Sequence, residues 1–187
     1  MNFYPGTNVE KTDLNGAQFL QGVFIAGNGL VMRQLTEITG LTTPAIQNWV
    51  ARGFISRPEQ KRYSKDSVAR ILIINELRET MTLEDIKKLL IFVNGRVGDN
   101  RDDIIAESEL YAYFCEVVFD KKFAYNTVNE LIDQVIANYS EKMGGAKLRL
   151  KTALEVICIN YLANKLTKRS NNLLQDISQQ NIFGENL

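Results

Sequence analysis

The stretch VMRQLTEITGLTTPAIQNWVARG, residues 31–53, decides the fold. Leu35 and Ile38 give residues 31–39 one apolar face, and Gly40 stops that helix, because glycine readily takes the left-handed conformation at a helix end. Leu41-Thr42 makes a tight connection. Thr43 is placed to cap the next helix, and Pro44 falls at its first position, where proline loses no hydrogen bond. This second helix runs to about Arg52 and ends at Gly53. Ile46 and Trp49, three apart, pack back on the first helix, which leaves Gln47, Asn48, Ala51 and Arg52 on other faces. Two short helices at this spacing form a helix-turn-helix.

Working outward, Phe54-Ile55 is a short apolar pair, followed by Ser56 to Tyr63, which is polar, basic and broken by Pro58. That composition reads as a small β-turn wing. Ser64 caps a helix over 65–79, with Val68, Ile71, Leu72, Asn75 and Leu77 inward. Thr82 caps another, with Asp85 three residues on and an apolar stripe through Leu83, Ile86, Leu89, Leu90 and Val93. Glycines and polar residues at 95–100 mark a domain boundary. Beyond it the pattern gives helices over 108–119, 125–143 and 146–167. The second of these follows an i, i+3, i+4 repeat from Val128 to Tyr139. The expected organisation is a partly ordered leader over 1–29 with a short helix near Asp13–Gln21, a winged helix-turn-helix over 30–94, a helical domain over 101–169, and a fraying polar tail over 170–187. The fold class is mainly all-α.

Composition narrows function. The chain has 187 residues and 45% hydrophobic content, ordinary for a soluble globular protein. No apolar run approaches the ~20 residues that span a bilayer, and the first residues lack a basic leader or a long apolar stretch, so a cytoplasmic location is expected and no membrane partner. The chain contains no histidine, which removes the commonest general base and the commonest zinc ligand. Cys115 and Cys158 sit in apolar helical segments and read as reduced core thiols; their spacing supports neither a disulfide nor a metal pair. No nucleophile–base pair, phosphate-binding loop or metal spacing is visible, so neither an enzyme nor a cofactor is expected. The net charge is zero, but seven basic against three acidic residues from Arg33 to Arg70 leave +4, whereas thirteen acidic against ten basic from Asp99 onward leave −3. A basic front and a mildly acidic back suit a nucleic-acid reader joined to a helical partner domain.

Five pieces in order resemble the DNA-binding domain of the MerR family: a first helix ending at Thr39-Gly40, a second ending in Gly53-Phe54-Ile55, a wing closing on Arg62-Tyr63-Ser64, a third helix opening Lys65-Asp66-Ser67-Val68, and Met81 to Leu90 as the last. The wider chain, over roughly 15–165, is similar to a bacterial family called domain of unknown function eighteen thirty-six. That resemblance rests on Gly40-Leu41-Thr42-Thr43, Ile46 to Val50, Lys61 to Ser64, Ala69 to Asn75 and Asp102 to Ile105. The MerR resemblance implies a winged helix-turn-helix that binds DNA. Its recognition helices usually carry an Arg-Tyr-Tyr run where this chain has Gln47-Asn48-Trp49, and Pro44 stands where a basic residue is usual. The family's long antiparallel coiled coil and metal-sensing cysteines are not evident.

The candidate DNA contacts are therefore Thr43, Gln47, Asn48, Arg52, Lys61, Arg62 and Tyr63. Side-chain amides can bond adenine edges bidentately, and a helix N-terminus such as that at Thr43 favours a phosphate. Lys61, Arg62 and Tyr63 lie at the wing base, where MerR-like proteins grip phosphate. The aromatic-rich back half, from Tyr111 to Tyr161, reads as core and dimer contact, with a small-molecule effector pocket as the sharper option. The function expected is a transcriptional regulator binding double-stranded DNA, as a homodimer joined through its C-terminal helices. The alternatives are a protein-interaction adaptor and an architectural, excisionase-like DNA binder.

Overall fold

The computed structural model describes residues 3–24, 29–95, 97 and 102–179. Among them are eight helices and one two-stranded sheet: α1 (Gly16–Val23), β1 (Leu30–Val31), α2 (Met32–Thr39), α3 (Thr43–Ala51), β2 (Arg62–Tyr63), α4 (Lys65–Leu77), α5 (Leu83–Asn94), α6 (Glu107–Phe119), α7 (Val128–Val135) and α8 (Ala146–Gln179). The mainly all-α expectation holds. No described helix is long and apolar enough to cross a membrane.

The hydrophobic core centres on α4, whose Val68, Ala69, Ile71, Leu72, Ile73, Ile74 and Leu77 are all buried. A helix apolar around most of its circumference must be covered on all sides. Here α4 packs chiefly on α6, with α2, α5 and α8 around it. One hydrophobic cluster thus runs from Tyr4 to Tyr161, across the boundary expected at residues 95–100. Most of that boundary lies outside the described residues. Cys115 and Cys158 are buried and unbridged. Burial pushes both thiols far above their ordinary range, so they should resist iodoacetamide in the native protein and react once it is unfolded. Rapid native labelling would contradict this packing.

Within the leader, the described residues around Tyr4–Gly6 and Phe19 are fastened to the core. Tyr4 stacks on Phe19 with ring centroids 4.0 Å apart, and its hydroxyl donates to the Leu14 carbonyl at 2.7 Å. The Gly6 N–H donates to Glu76 Oε2 at 2.8 Å, Asn75 Nδ2 donates to the carbonyls of Gly6 and Thr39, and the Tyr111 hydroxyl donates to the Pro5 carbonyl. These partners lie on α4 and α6, so a window along the leader alone cannot find them. Gly6 has φ +70° and rests against the Leu72 carbonyl, into which a Cβ would collide. Gly6→Ala should therefore destabilise the fold by roughly 1–3 kcal/mol, measured by urea denaturation. The short helix of the leader is α1, capped by Asn15, whose Oδ1 accepts from the Gln18 N–H while Gln18 returns a bond to the Asn15 N–H.

Three other boundaries differ. Thr42, not Thr43, caps α3, its hydroxyl accepting from the Ala45 N–H at 3.4 Å. Adjacent threonines offer the same chemistry, and burial of Leu41 sets which one meets the helix start. Pro44 then sits one place further in, still among the N–H groups that lack helical partners. The helix expected over 125–143 is only α7. Thr127 Oγ1 accepts from the Ala124 N–H and donates to the Lys122 carbonyl, a local turn that competes with helix. Past Ile136 the Tyr139 hydroxyl donates to the Ile104 carbonyl and draws the chain away. The tail expected to fray from Ser170 continues α8 to Gln179. No glycine or proline interrupts it there, and Leu173, Leu174, Gln175 and Gln179 are good helix formers.

Candidate functional site

The seven residues singled out from sequence fall on one side of the front half, around α3 and the β-turn that precedes β2. Ile46 and Trp49 are buried against α2, so the rest of α3 is held outward. Gln47 and Asn48 are exposed. Among the described residues neither side chain forms a hydrogen bond. Thr43, freed from capping, is exposed as well.

Beside α3 stands a hairpin that sequence reading placed but could not shape. The Glu59 N–H donates to the Arg62 carbonyl at 3.0 Å and the Arg62 N–H to the Glu59 carbonyl at 2.8 Å. Gln60 and Lys61 between them have φ of 47° and 63°. Two central residues with positive φ make the tight turn that matches strand twist. Neither is glycine, which is uncommon for this conformation. β2 pairs antiparallel with β1, Leu30 opposite Tyr63 and Val31 opposite Arg62. The hairpin is thereby tied to the segment that opens α2, and the distance between turn and α3 is fixed.

A groove of about 620 Å³ lies between them, walled by Thr43, Gln47 and Val50 on one side and by Arg57, Lys61 and Tyr63 on the other. Four of the seven candidates thus share one groove. Tyr63 is only 3% exposed, and burial raises its hydroxyl pKa; it forms the floor. The other two basic candidates have structural partners. Arg52 Nη2 reaches Glu84 Oε1 of α5 at 2.6 Å, and its guanidinium lies 4.9 Å from the centre of the Phe54 ring. Arg62 Nη1 donates to the Gly29 carbonyl at 2.9 Å. Both remain exposed at the surface, but part of their hydrogen-bonding capacity is spent on holding α3 to α5 and β2 to the turn before β1.

Arg57 is the residue that sequence reading passed over. It lies in the Ser56–Tyr63 stretch and entered only the charge count. In the structure it is exposed, and among the described residues neither it nor Lys61 has an ion-pair or hydrogen-bond partner. These two are the cations that the fold leaves uncommitted beside α3. The signal available in the sequence was the absence of an acidic residue three or four positions away on a helix; in a turn such a rule has no purchase. No described group of residues has the arrangement of a metal site.

A family model described as "Domain of unknown function (DUF1836)" matches residues 20–114, just over half of the 187 residues. The uncharacterized protein YkrK of Bacillus subtilis (strain 168) is 34% identical over 90 residues, which are 46% of this chain and 38% of that protein. The chain thus aligns with well under half of that relative's length. No solved structure matches it.

Proposed function

We propose, from the premise that the chain belongs to the DUF1836 family of unknown function, that it is a DNA-binding transcriptional regulator of MerR-like winged helix-turn-helix design. One observation carries the reading. An outward helix face bearing two amides stands beside a hairpin with two nearby cations, and none of the four side chains has a partner among the described residues. Amides suit the base edges of a major groove, which is wide enough to admit α3. Arg57 and Lys61 suit the flanking phosphates, and the exposed N-terminus of α3 at Thr43 adds a third anionic contact.

A homodimer fits the same reading, because one such module presents little surface and two half-sites multiply affinity. Residues 165–178 of α8 are exposed, among them Leu166, Leu173, Leu174 and Ile177. Leu166, Leu173 and Ile177 lie seven and four apart, one seam of a helix pair. Leu173→Glu with Leu174→Glu should convert a dimer to a monomer in light scattering while leaving the melting of the body unchanged.

Fluorescence anisotropy with duplexes drawn from bacterial genomic DNA tests the main reading. Binding should weaken as salt rises, with a slope of about −0.9 per phosphate neutralised. Absent or salt-independent binding would sink it. The adaptor reading is the one that such a failure favours, and bent DNA without any promoter effect favours the architectural one.

A further inference from the structure

A second groove, of about 490 Å³, lies between the leader and α8. Phe3 and Pro5 line it from the leader, Glu76 from α4, and Lys165, Lys168 and Arg169 from α8. The three cations share one helix face, because residues three and four apart lie above one another along a helix. Like charges at these spacings repel and weaken the helix that carries them. Glu76 is the one carboxylate in the described lining. Both its oxygens are already engaged by neutral donors, Oε2 by the Gly6 N–H and Oε1 by Asn164 Nδ2 at 3.0 Å. Three cations against one carboxylate leave the described lining with an excess of two positive charges.

Lys165 is already employed within the fold. Its Nζ stands 5.1 Å from the centre of the Tyr161 ring, and burial, opposed by Glu76 and reinforced by Lys168, lowers its pKa. Lys168 and Arg169 differ. Both are exposed, and among the described residues neither makes a salt bridge or a hydrogen bond. Glu10, opposite Phe3 in an isolated β-bridge, and Asp176, seven residues beyond Arg169, lie outside the lining. Met1 and Asn2, which precede the leader wall, bring no side-chain charge. The opposite rim is apolar, because Phe3 is 41% exposed there.

We propose that this groove binds a small organic anion with an aromatic body, of the aryl carboxylate or aryl phosphate class. The anionic head meets Lys168 and Arg169, and a guanidinium can bond a carboxylate or a phosphate through two parallel N–H groups. The ring of the ligand lies offset or edge-on against Phe3. The volume falls within the range of small-molecule sites. An occupant that touches both walls ties the leader to α8 and so stabilises the native state. Binding depends neither on the DNA reading nor on the dimer. The seam of Leu166, Leu173 and Ile177 lies about a third of a turn round α8 from these cations.

The test is titration calorimetry of the full chain, without DNA, using naphthoate and phenyl phosphate as probes. Naphthalenemethanol keeps the ring without the charge and acetate keeps the charge without the ring, so these are the controls. The expected result is saturable binding of both probes, with a melting temperature that rises with probe concentration, and much weaker binding of both controls. Lys168→Gln with Arg169→Gln should weaken the probes by about tenfold or more, as expected for lost bonds to a charged group. Phe3→Ala should weaken them roughly fivefold through lost apolar contact. Both variants alter exposed side chains and leave the bonds of Glu76 in place. Glu185→Gln should leave the affinity as it is. No binding of either probe overturns the proposal, as does equal binding of either control or full affinity in the Lys168, Arg169 double variant. Tighter binding in Glu185→Gln also overturns it, since the chain's own tail would then be the occupant. Failure to bind DNA with probe binding intact would count against the DNA reading alone.

Discussion

Arg70→Met should destabilise the protein by about 3–5 kcal/mol, the usual cost of leaving half of a buried ion pair behind. Arg70 and Glu107 face each other with side chains only 6% and 12% exposed. Removing the guanidinium strands the carboxylate and also frees the Phe54 carbonyl that Arg70 holds. The double change Arg70→Met with Glu107→Leu should recover most of the loss, because two apolar side chains of similar size need no compensation. Urea denaturation of the two variants checks both statements; a loss under about 1 kcal/mol in the single variant would show that the pair is hydrated. The pH dependence follows from Glu107. Burial, partly offset by Arg70, pushes its carboxyl above the ordinary 4.5. A raised acid binds its proton more tightly when folded, so its contribution to stability is full below pH 4.5 and is lost as pH rises through the raised value. In Arg70→Met the opposing cation is gone, and the loss should extend to higher pH than in the wild type.

The second large effect is on DNA. Arg57→Ala with Lys61→Ala should lower affinity roughly 30-fold at 0.15 M salt, since each phosphate contact is worth about 0.9 in the salt exponent. The slope of log affinity against log salt should flatten by nearly 2. Thermal stability should stay within about 0.5 kcal/mol of wild type, because neither side chain has a partner among the described residues to lose. Arg52→Ala reads differently. Breaking the exposed pair with Glu84 costs stability about 0–1 kcal/mol, and any loss of binding would mix a lost contact with a loosened α3. If the double variant binds as the wild type does, the groove beside α3 is not where the phosphates lie.

The elements legible in the sequence are those whose partners are close by. Gly40 ends α2 with φ +69°, and Ser64 and Thr82 cap α4 and α5 as their positions imply. Ile46 and Trp49 face inward because a three-residue spacing allows little else. What could not be read depends on distant chain. The two-residue β1 carries too few residues to show a period. Thr42 and Thr43 are chemically alike, and only the burial of Leu41 separates them. Of the basic residues, spacing could suggest that Arg52, Lys61 and Arg62 lie near one another. It could not show that Glu84, 32 residues away, and the Gly29 carbonyl, 33 residues away, engage two of them and leave Arg57 in their place. The length of α8 was not legible, since a run of Asn and Gln looks the same in a helix and in a frayed end.

The fastening of the leader has a consequence for the chain during its manufacture. Pro5 and Gly6 leave the ribosome well before the groups that hold them, which come 69 to 106 residues later, on α4 and α6. Until Tyr111 has emerged, Tyr4 and Phe19 have no complete surface on which to settle, and contacts between distant parts of a chain form late. A nascent chain stopped before α6 would display that apolar pair to its surroundings. An excised 20–114 segment would keep α4 and the first part of α6 but lose the leader and α8 together, leaving two faces of α4 uncovered. Such a fragment should be recovered chiefly as aggregate, and adding residues back at the front alone should not cure it.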